Sequence, residues 1–243
     1  MTIPKMILFD YGQTLVSEQF DGVRGTEAVL QYAVRNKYQK SAAQVQAAAD
    51  AMNQELGRFD PKRRHLFQIE APNFMFANYL YESCGIELSI KGEELDRVFW
   101  DAAAPGTPTE GIEEFLEFLE RHNIRTGVIS NIAYSRKVVE ERIARCIPNH
   151  TFEFILTSSA YLYRKPHRRI FEVALEKAGL PPEEVWYIGD QYECDIVGAA
   201  GAGLFPVWYT GALQKADTEK REVLTVESWR ELEAMLSQKN GYH

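Results

Sequence analysis

The first strongly apolar run, Met6-Ile7-Leu8-Phe9, is followed at once by Asp10-Tyr11-Gly12-Gln13-Thr14-Leu15. Four apolar residues before a turn signal predict a short buried strand. The texture then changes. From Thr26 to about Ala104 the apolar spacing is helical and predicts no strand. Leu30, Ala33 and Val34 stand at i, i+3, i+4 of one candidate helix. Ser41 caps a second, through Val45, Ala48, Ala49 and Met52 towards Arg58. A third opens near Asn73, after Pro72, carries Phe74, Ala77, Tyr79 and Leu80, and stops near Gly85. A fourth carries Leu95, Val98 and Phe99. Four amphipathic helices in sequence predict a small bundle. Arg63, Arg64 and His65, between the second and third helices, read as a solvated loop ahead of a basic rim over a site.

From Pro105 onward short apolar runs alternate with helical stretches. Strands are predicted at 125–129, 154–156, 185–188 and 205–208. Helices are predicted at 112–122, 136–145, 168–178 and 196–202, and a last one is capped by Ser228 and runs through Leu236. This alternation predicts an α/β fold: a Rossmann-like parallel sheet core with helices on both faces. The first strand must join that sheet. The expected division is therefore a core of residues 1–16 and 105–243 with an inserted α-helical cap at 17–104. Gly106, flanked by Pro105 and Pro108, suits one hinge, and 16–18 the other.

Composition narrows the function. The chain has 243 residues and a net charge of -8, with no long single-sign run. Nucleic acid is not expected as a partner, because phosphate neutralisation wants clustered Lys and Arg. No apolar run approaches the roughly 20 residues that span a bilayer, so no membrane partner is expected either. Cys84, Cys146 and Cys194 are scattered and in no metal spacing. With no signal-peptide pattern at the N-terminus, they favour a reducing cytoplasm.

Three predicted strands end in polar residues: Asp10, Ser130-Asn131 and Asp190. In a parallel sheet these ends share one edge, so the groups can converge in one crevice. Asp195 adds a further carboxylate. Packed carboxylates raise each other's pKa unless a cation joins them, and an oxygen-only set suits Mg²⁺. Lys165, in Arg164-Lys165-Pro166, is the natural counter-charge for a nucleophilic carboxylate and an incoming phosphate. Ser130 and the amides after it can hydrogen-bond phosphate oxygens. Taken one at a time, each of these residues fits a turn or a helix start equally well.

Together they resemble, in order and spacing, the four motifs of the haloacid dehalogenase superfamily, a group dominated by Mg²⁺-dependent phosphohydrolases. The most specific parts are the apolar strand with Asp10 and Thr14-Leu15, then Lys165-Pro166 with Ile170-Phe171, then Gly189-Asp190 with Asp195. Gly198-Ala199-Ala200-Gly201-Ala202-Gly203 is also typical. The helical insertion resembles the family's cap. The resemblance implies Asp10 as the nucleophile that forms an aspartyl-phosphate, with Lys165 orienting it. It implies substrate contacts from Thr14, Ser130, Asn131 and Lys165. It implies Mg²⁺ held by Asp10, the Gly12 carbonyl, Asp190 and Asp195, and a small phosphorylated metabolite as substrate.

One departure matters most. Phosphatases of the family carry a second Asp two residues after the nucleophile, as general acid and base; here that position is Gly12. Losing such a group costs about 10²–10⁴-fold in rate. Leu162 stands where the family often has Gly, and His167 where an Asp often follows Lys-Pro. The resemblance thus leaves a phosphatase, a non-catalytic phosphate- and Mg²⁺-binding protein, and a dehalogenase- or phosphonatase-like variant. Of these, the phosphonatase-like variant would use a cap lysine such as Lys37, Lys40 or Lys62.

Overall fold

A computed structural model describes residues 3–58, 68–213 and 222–240. Lys62, Arg63, Arg64 and His65 lie outside the described residues. The core is a six-stranded sheet in the order β10-β9-β8-β1-β6-β7. These strands are β1 (Met6–Phe9), β6 (Arg125–Ser130), β7 (Ile155–Thr157), β8 (Val185–Gly189), β9 (Phe205–Tyr209) and β10 (Leu224–Val226). Every neighbouring pair runs parallel. β1 lies between β6 and β8 because it is apolar on both faces. Ile7 and Phe9 enter one core with helices α5 (Ile112–Arg121), α6 (Arg136–Cys146) and α10 (Trp229–Asn240). Met6 and Leu8 enter the opposite core with α8 (Arg168–Ala178) and α9 (Gly198–Gly201). Phe9 pairs in register with Val128 and with Ile188, so Asp10, Ser130 and Asp190 leave the same sheet edge.

The inserted unit has its own core of Val29, Val45, Ala77, Leu80 and Leu95, among others. Its helices are α1 (Gly22–Leu30), α2 (Ala42–Glu55), α3 (Asn73–Ser83) and α4 (Gly92–Ala103). Ser41 and Gln44 close a capping box at the start of α2. The unit is not purely helical. Strands β3 (Ala33–Asn36) and β4 (Ile86–Leu88) pair antiparallel. The helical periodicity through Leu30, Ala33 and Val34 is therefore corrected: α1 ends at Leu30, and Val34 stands 65% exposed on a strand. β3 is four residues long, carries a register shift and shows no buried face, so it leaves no period-2 signal. The three-residue β10 escapes for the same reason of length.

Two linkers join the unit to the core, and β2 (Val16–Ser17) and β5 (Thr107–Pro108) pair them side by side. Two seams then fix how the unit sits. At the linker side, α4 faces α6 through Arg97–Glu141 (2.6 Å), Lys137–Glu93 (3.0 Å) and Arg145–Asp101 (2.6 Å). Beneath them Arg142 is buried. Its guanidinium donates to the Tyr11 hydroxyl (2.9 Å), Glu18 (3.0 Å), Asp101 (2.7 Å) and the Ala104 carbonyl, and it lies over the Trp100 ring. At the other side, residues 68–70 run antiparallel along residues 162–164. Glu70 N donates to Leu162 O (2.7 Å) and Arg164 N to Gln68 O (2.9 Å). The buried Glu70 carboxylate accepts from Ser158 Oγ (2.5 Å), from Arg58 (3.3 Å) and from Arg164.

Leu162 is the centre of a γ-turn: its φ is 67° and ψ -51°, and Tyr163 N donates to Tyr161 O at 2.7 Å. That conformation suits glycine, which explains why the family often places Gly here. Among the described residues no helix is long and apolar enough to cross a membrane.

Two stability measurements follow, both by urea unfolding. Arg142→Ala should cost about 2–4 kcal/mol, because it strands the buried Tyr11 hydroxyl and Ala104 carbonyl beside the half-buried Glu18 and Asp101 carboxylates, whereas Arg145→Ala at the exposed end of the seam should cost below about 1 kcal/mol. Equal small losses would mean that Arg142 is not the buried anchor. Leu162→Gly should stabilise the chain, by up to about 1–3 kcal/mol, less the added backbone entropy of glycine in the unfolded state.

Candidate active site

Asp10 sits at the end of the central strand, its backbone N–H donating to Ile188 O at 2.8 Å. The residue opposite is Lys165, 2% exposed, just before α8. Its ammonium donates to Asp10 Oδ1 (2.5 Å), Asp195 Oδ1 (2.7 Å) and the Tyr187 hydroxyl (2.6 Å). Burial opposes the charge on Lys165, but the Asp10 and Asp195 carboxylates outweigh it and raise its pKa. Burial pushes Asp10 up to about 6, with Lys165 pulling against it and Asp195 adding to it. Asp190 is held well above the usual carboxylate range by burial first, then by Asp10 and Asp195.

Asp10, Asp190 and Asp195 bring carboxylate oxygens within 4.8 Å of one another, against the single ammonium of Lys165. Asp190 Oδ1 is buried and has no hydrogen-bond partner. Such an orphan is costly unless something else pairs it. An unpaired buried oxygen beside two other carboxylates is what a hard, oxygen-seeking cation such as Mg²⁺ requires. Asp195 belongs to this cluster and is also engaged on the protein. Its Oδ1 faces Lys165 and Tyr187, and its Oδ2 accepts from Gln191 N at 2.9 Å. One oxygen holds Lys165 and the other the turn that precedes Asp195.

The cavity at Asp10 measures about 400 Å³ and is lined by Asp10, Gly12, Ser130, Lys165 and Asp195, with Glu18, Trp100 and Tyr134 on the cap side. Ser130 presents a hydroxyl with no partner among the described residues. Asn131 also lines the cavity. Its Nδ2 donates to Lys165 O (2.8 Å) and its Oδ1 accepts from Lys165 N (2.7 Å), so the amide positions Lys165. Thr14 departs from the expected substrate contact: it is fully buried, off the cavity wall, and its Oγ1 has no partner. It works through its backbone, the Thr14 carbonyl accepting from Thr109 Oγ1 at 2.7 Å. Trp229 Nε1 in turn donates to Thr109 Oγ1 at 2.9 Å, tying the loop after Asp10 to the last helix.

Gly12 lies outside the left-handed region, and a Cβ built there finds nothing within 4 Å. The neighbouring Gln13 carries the positive φ, 56°, and closes the loop through Gln13 N to Val16 O (2.8 Å). Apart from Asp10, the two titratable groups nearest in sequence are engaged elsewhere: the Tyr11 hydroxyl donates to Glu18 Oε1 at 2.8 Å, and both meet Arg142.

Sequence reasoning missed Tyr187, Arg142 and Tyr134. Arg142 left a legible signal, since it interrupts the buried stripe Val138, Val139, Ile143 of α6. Tyr187 left none, because a tyrosine on a buried strand looks like any other core aromatic.

These features are those of a hydrolase with a cap over a parallel sheet, and the comparisons agree. The haloacid dehalogenase-like hydrolase family matches residues 4–203, and the chain belongs to that family. The pyrimidine 5'-nucleotidase YjjG of Escherichia coli is 31% identical over 158 residues, covering 64% of this chain and 69% of the relative. A glyceraldehyde 3-phosphate phosphatase of Methanothermobacter thermautotrophicus is 33% identical over 104 residues, 43% of this chain and 45% of the relative. The chain thus spans less than half the length of that second relative. A 2-haloacid dehalogenase from Pseudomonas syringae shares the fold at a TM-score of 0.63 with 18% identity, covering 98% of this chain and all of the neighbour. A HAD phosphatase from Thermococcus onnurineus shares it at 0.62 with 17% identity, covering 95% and 97%.

The cation fit is checked by melting. Mg²⁺ at millimolar concentration should raise the Tm of the parent chain, since a ligand of the folded state alone stabilises it. Asp190→Asn should melt higher than the parent without Mg²⁺, because one buried like charge is gone, and should no longer respond to Mg²⁺. An unchanged Mg²⁺ response in the variant would remove Asp190 from the site.

Proposed function

We propose that this hydrolase is a Mg²⁺-dependent phosphatase of a small phosphorylated metabolite, working through an aspartyl-phosphate on Asp10. The observation that carries the reading is Asp10, paired with the buried Lys165 ammonium at 2.5 Å, opening onto the cavity where Ser130 presents its hydroxyl. The relatives support it: they include a nucleotidase, a glyceraldehyde 3-phosphate phosphatase and a phosphoserine phosphatase.

An Asp10 oxygen attacks the phosphorus, and the bond from phosphorus to the leaving oxygen breaks. Water then attacks the phosphorus, the bond to Asp10 breaks, and inorganic phosphate leaves with the carboxylate restored. Lys165 keeps Asp10 ionised as the anionic phosphate arrives, and Ser130 Oγ donates to a transferred oxygen. Asp10, Asp190 and the Gly12 carbonyl would hold Mg²⁺, which when bound neutralises charge on the phosphoryl oxygens. No proton comes from position 12. The leaving oxygen draws its proton from solvent, so esters with acidic leaving groups react best.

A screen of phosphorylated metabolites with and without Mg²⁺, read as phosphate release, tests the assignment. Asp10→Asn should abolish release while the variant still folds, since an amide cannot form the acyl phosphate. Binding of Mg²⁺ and phosphate with no turnover on any ester would replace this reading by a non-catalytic one. Gly12→Asp places a carboxyl in open space on the same loop. The gain on alkyl phosphates should approach about 10²–10⁴-fold and stay small on p-nitrophenyl phosphate, whose leaving group needs no proton. A folded, Mg²⁺-binding variant that gains on neither would show that protonation does not limit the rate.

A further inference from the structure

Lys165 has three ammonium N–H bonds, and each ends on an atom of the protein. Two go to carboxylates, Asp10 Oδ1 and Asp195 Oδ1, and the third goes to the Tyr187 hydroxyl at 2.6 Å. An ammonium only donates, so the hydroxyl must accept from it. The hydroxyl's own proton then lies between Ile129 O (3.1 Å) and Asp195 Oδ1 (3.2 Å). Ile129 directly precedes Ser130, so this one hydroxyl ties the ammonium to the strand end that carries the serine of the cavity wall. The ring has no room to swing away. Tyr187 is wholly buried, stands in register with Leu8 of β1 and Pro206 of β9, and packs edge-on against Phe171 of α8 (5.2 Å, 78°). The core itself does not need the hydroxyl. Phenylalanine would fill the same space among Met6, Leu8, Ile129 and Phe171 and would bury no polar group.

We propose that Tyr187 is a positioning residue: by taking the third N–H of Lys165 it holds the ammonium on Asp10 and keeps it off the phosphoryl group. This rests on the phosphatase reading above and divides the work within that site. With every N–H committed, Lys165 aims the nucleophile and balances its charge, and among this chain's side chains Ser130 is left to meet the phosphoryl oxygens. The division favours turnover. A phosphate gripped by the ammonium would be held as firmly before and after the reaction as during it, which raises no rate. A nucleophile fixed in one direction does raise it. Without the hydroxyl the third N–H is buried with no acceptor, which is costly. The remedy open to it is to turn into the cavity, whose wall Lys165 already forms, and donate to a phosphate oxygen there. The ammonium then grips substrate and product more tightly and leaves Asp10 less well aimed.

Tyr187→Phe removes the hydroxyl and keeps the ring. With Mg²⁺ and p-nitrophenyl phosphate, its kcat should fall about ten- to hundredfold, the worth of one hydrogen bond to a charged group. KM, and Ki for inorganic phosphate, should fall as well, by about three- to tenfold. A merely structural role moves neither constant and lowers kcat only in step with the folded fraction, read from a melting curve on the same sample. Unchanged or weaker phosphate binding in the folded variant would overturn the proposal, and so would an undiminished kcat. A second arm needs no variant. In a crystal structure of the parent chain with Mg²⁺ and inorganic phosphate, Lys165 Nζ should stay on Tyr187 Oη, with no phosphate oxygen within hydrogen-bond distance of it. An ammonium found on phosphate with Tyr187 released would sink the proposal whatever the variant does. Phosphate affinity, measured by titration calorimetry, also keeps the two readings apart. If no ester turns over but Tyr187→Phe binds phosphate more tightly than the parent, the role of Tyr187 stands and the phosphatase reading falls. If esters turn over and both chains bind phosphate equally, the phosphatase reading stands and Tyr187 is a core residue only. Neither turnover nor phosphate binding in the parent would overturn both.

Discussion

A single buried ammonium organises this molecule. Lys165 is enclosed at the carboxyl edge of the sheet and meets two carboxylates and a tyrosine. Taking a charge of either sign out of water is costly, and a lone buried ion shifts its pKa and neutralises. The arrangement persists because each charge is the condition for the other. Asp10 and Asp195 keep Lys165 protonated, and Lys165 restrains the rise of Asp10 that burial alone would produce. The remaining imbalance is a third carboxylate, Asp190, with an oxygen that has no partner among the described residues.

Much of the surrounding fold serves to hold that ammonium still. Asn131, from the loop after β6, clamps both backbone groups of Lys165. Residues 68–70 of the cap pair with residues 162–164, immediately before it, and Glu70 binds both Arg164 and Ser158. Ser158 Oγ in turn accepts from Ile132 N at 2.9 Å, so the cap strap, the Ser130 loop and the Lys165 loop form one hydrogen-bonded unit. Cap position and site geometry are therefore linked through Glu70. Across the molecule Arg142 makes the corresponding link, from α6 to both linkers and to Tyr11 beside the nucleophile.

The sheet, its helices and the meeting of Asp10, Ser130, Lys165 and Asp190 were legible in the sequence, because strand ends in a parallel sheet must share an edge. Less was legible where the signal is three-dimensional. The β3–β4 pair is too short and too exposed to leave a pattern. The engagement of Asn131 and Asp195 with Lys165 was not legible, since which atom is already occupied is a matter of packing. Thr14 gave its residue type but not its direction: the side chain is sealed inside, and the backbone carbonyl makes the contact. Arg142 alone among the missed residues broke a visible pattern.

Gly12 bears on what the rest of the site must supply. An absent acid–base group at about 10²–10⁴-fold corresponds to about 3–5 kcal/mol of lost transition-state stabilisation. Neither Tyr11 nor Glu18 is free to replace it, since Arg142 holds both. Remote binding energy can offset such a loss when it orients the reacting bond rather than merely tightening the ground state.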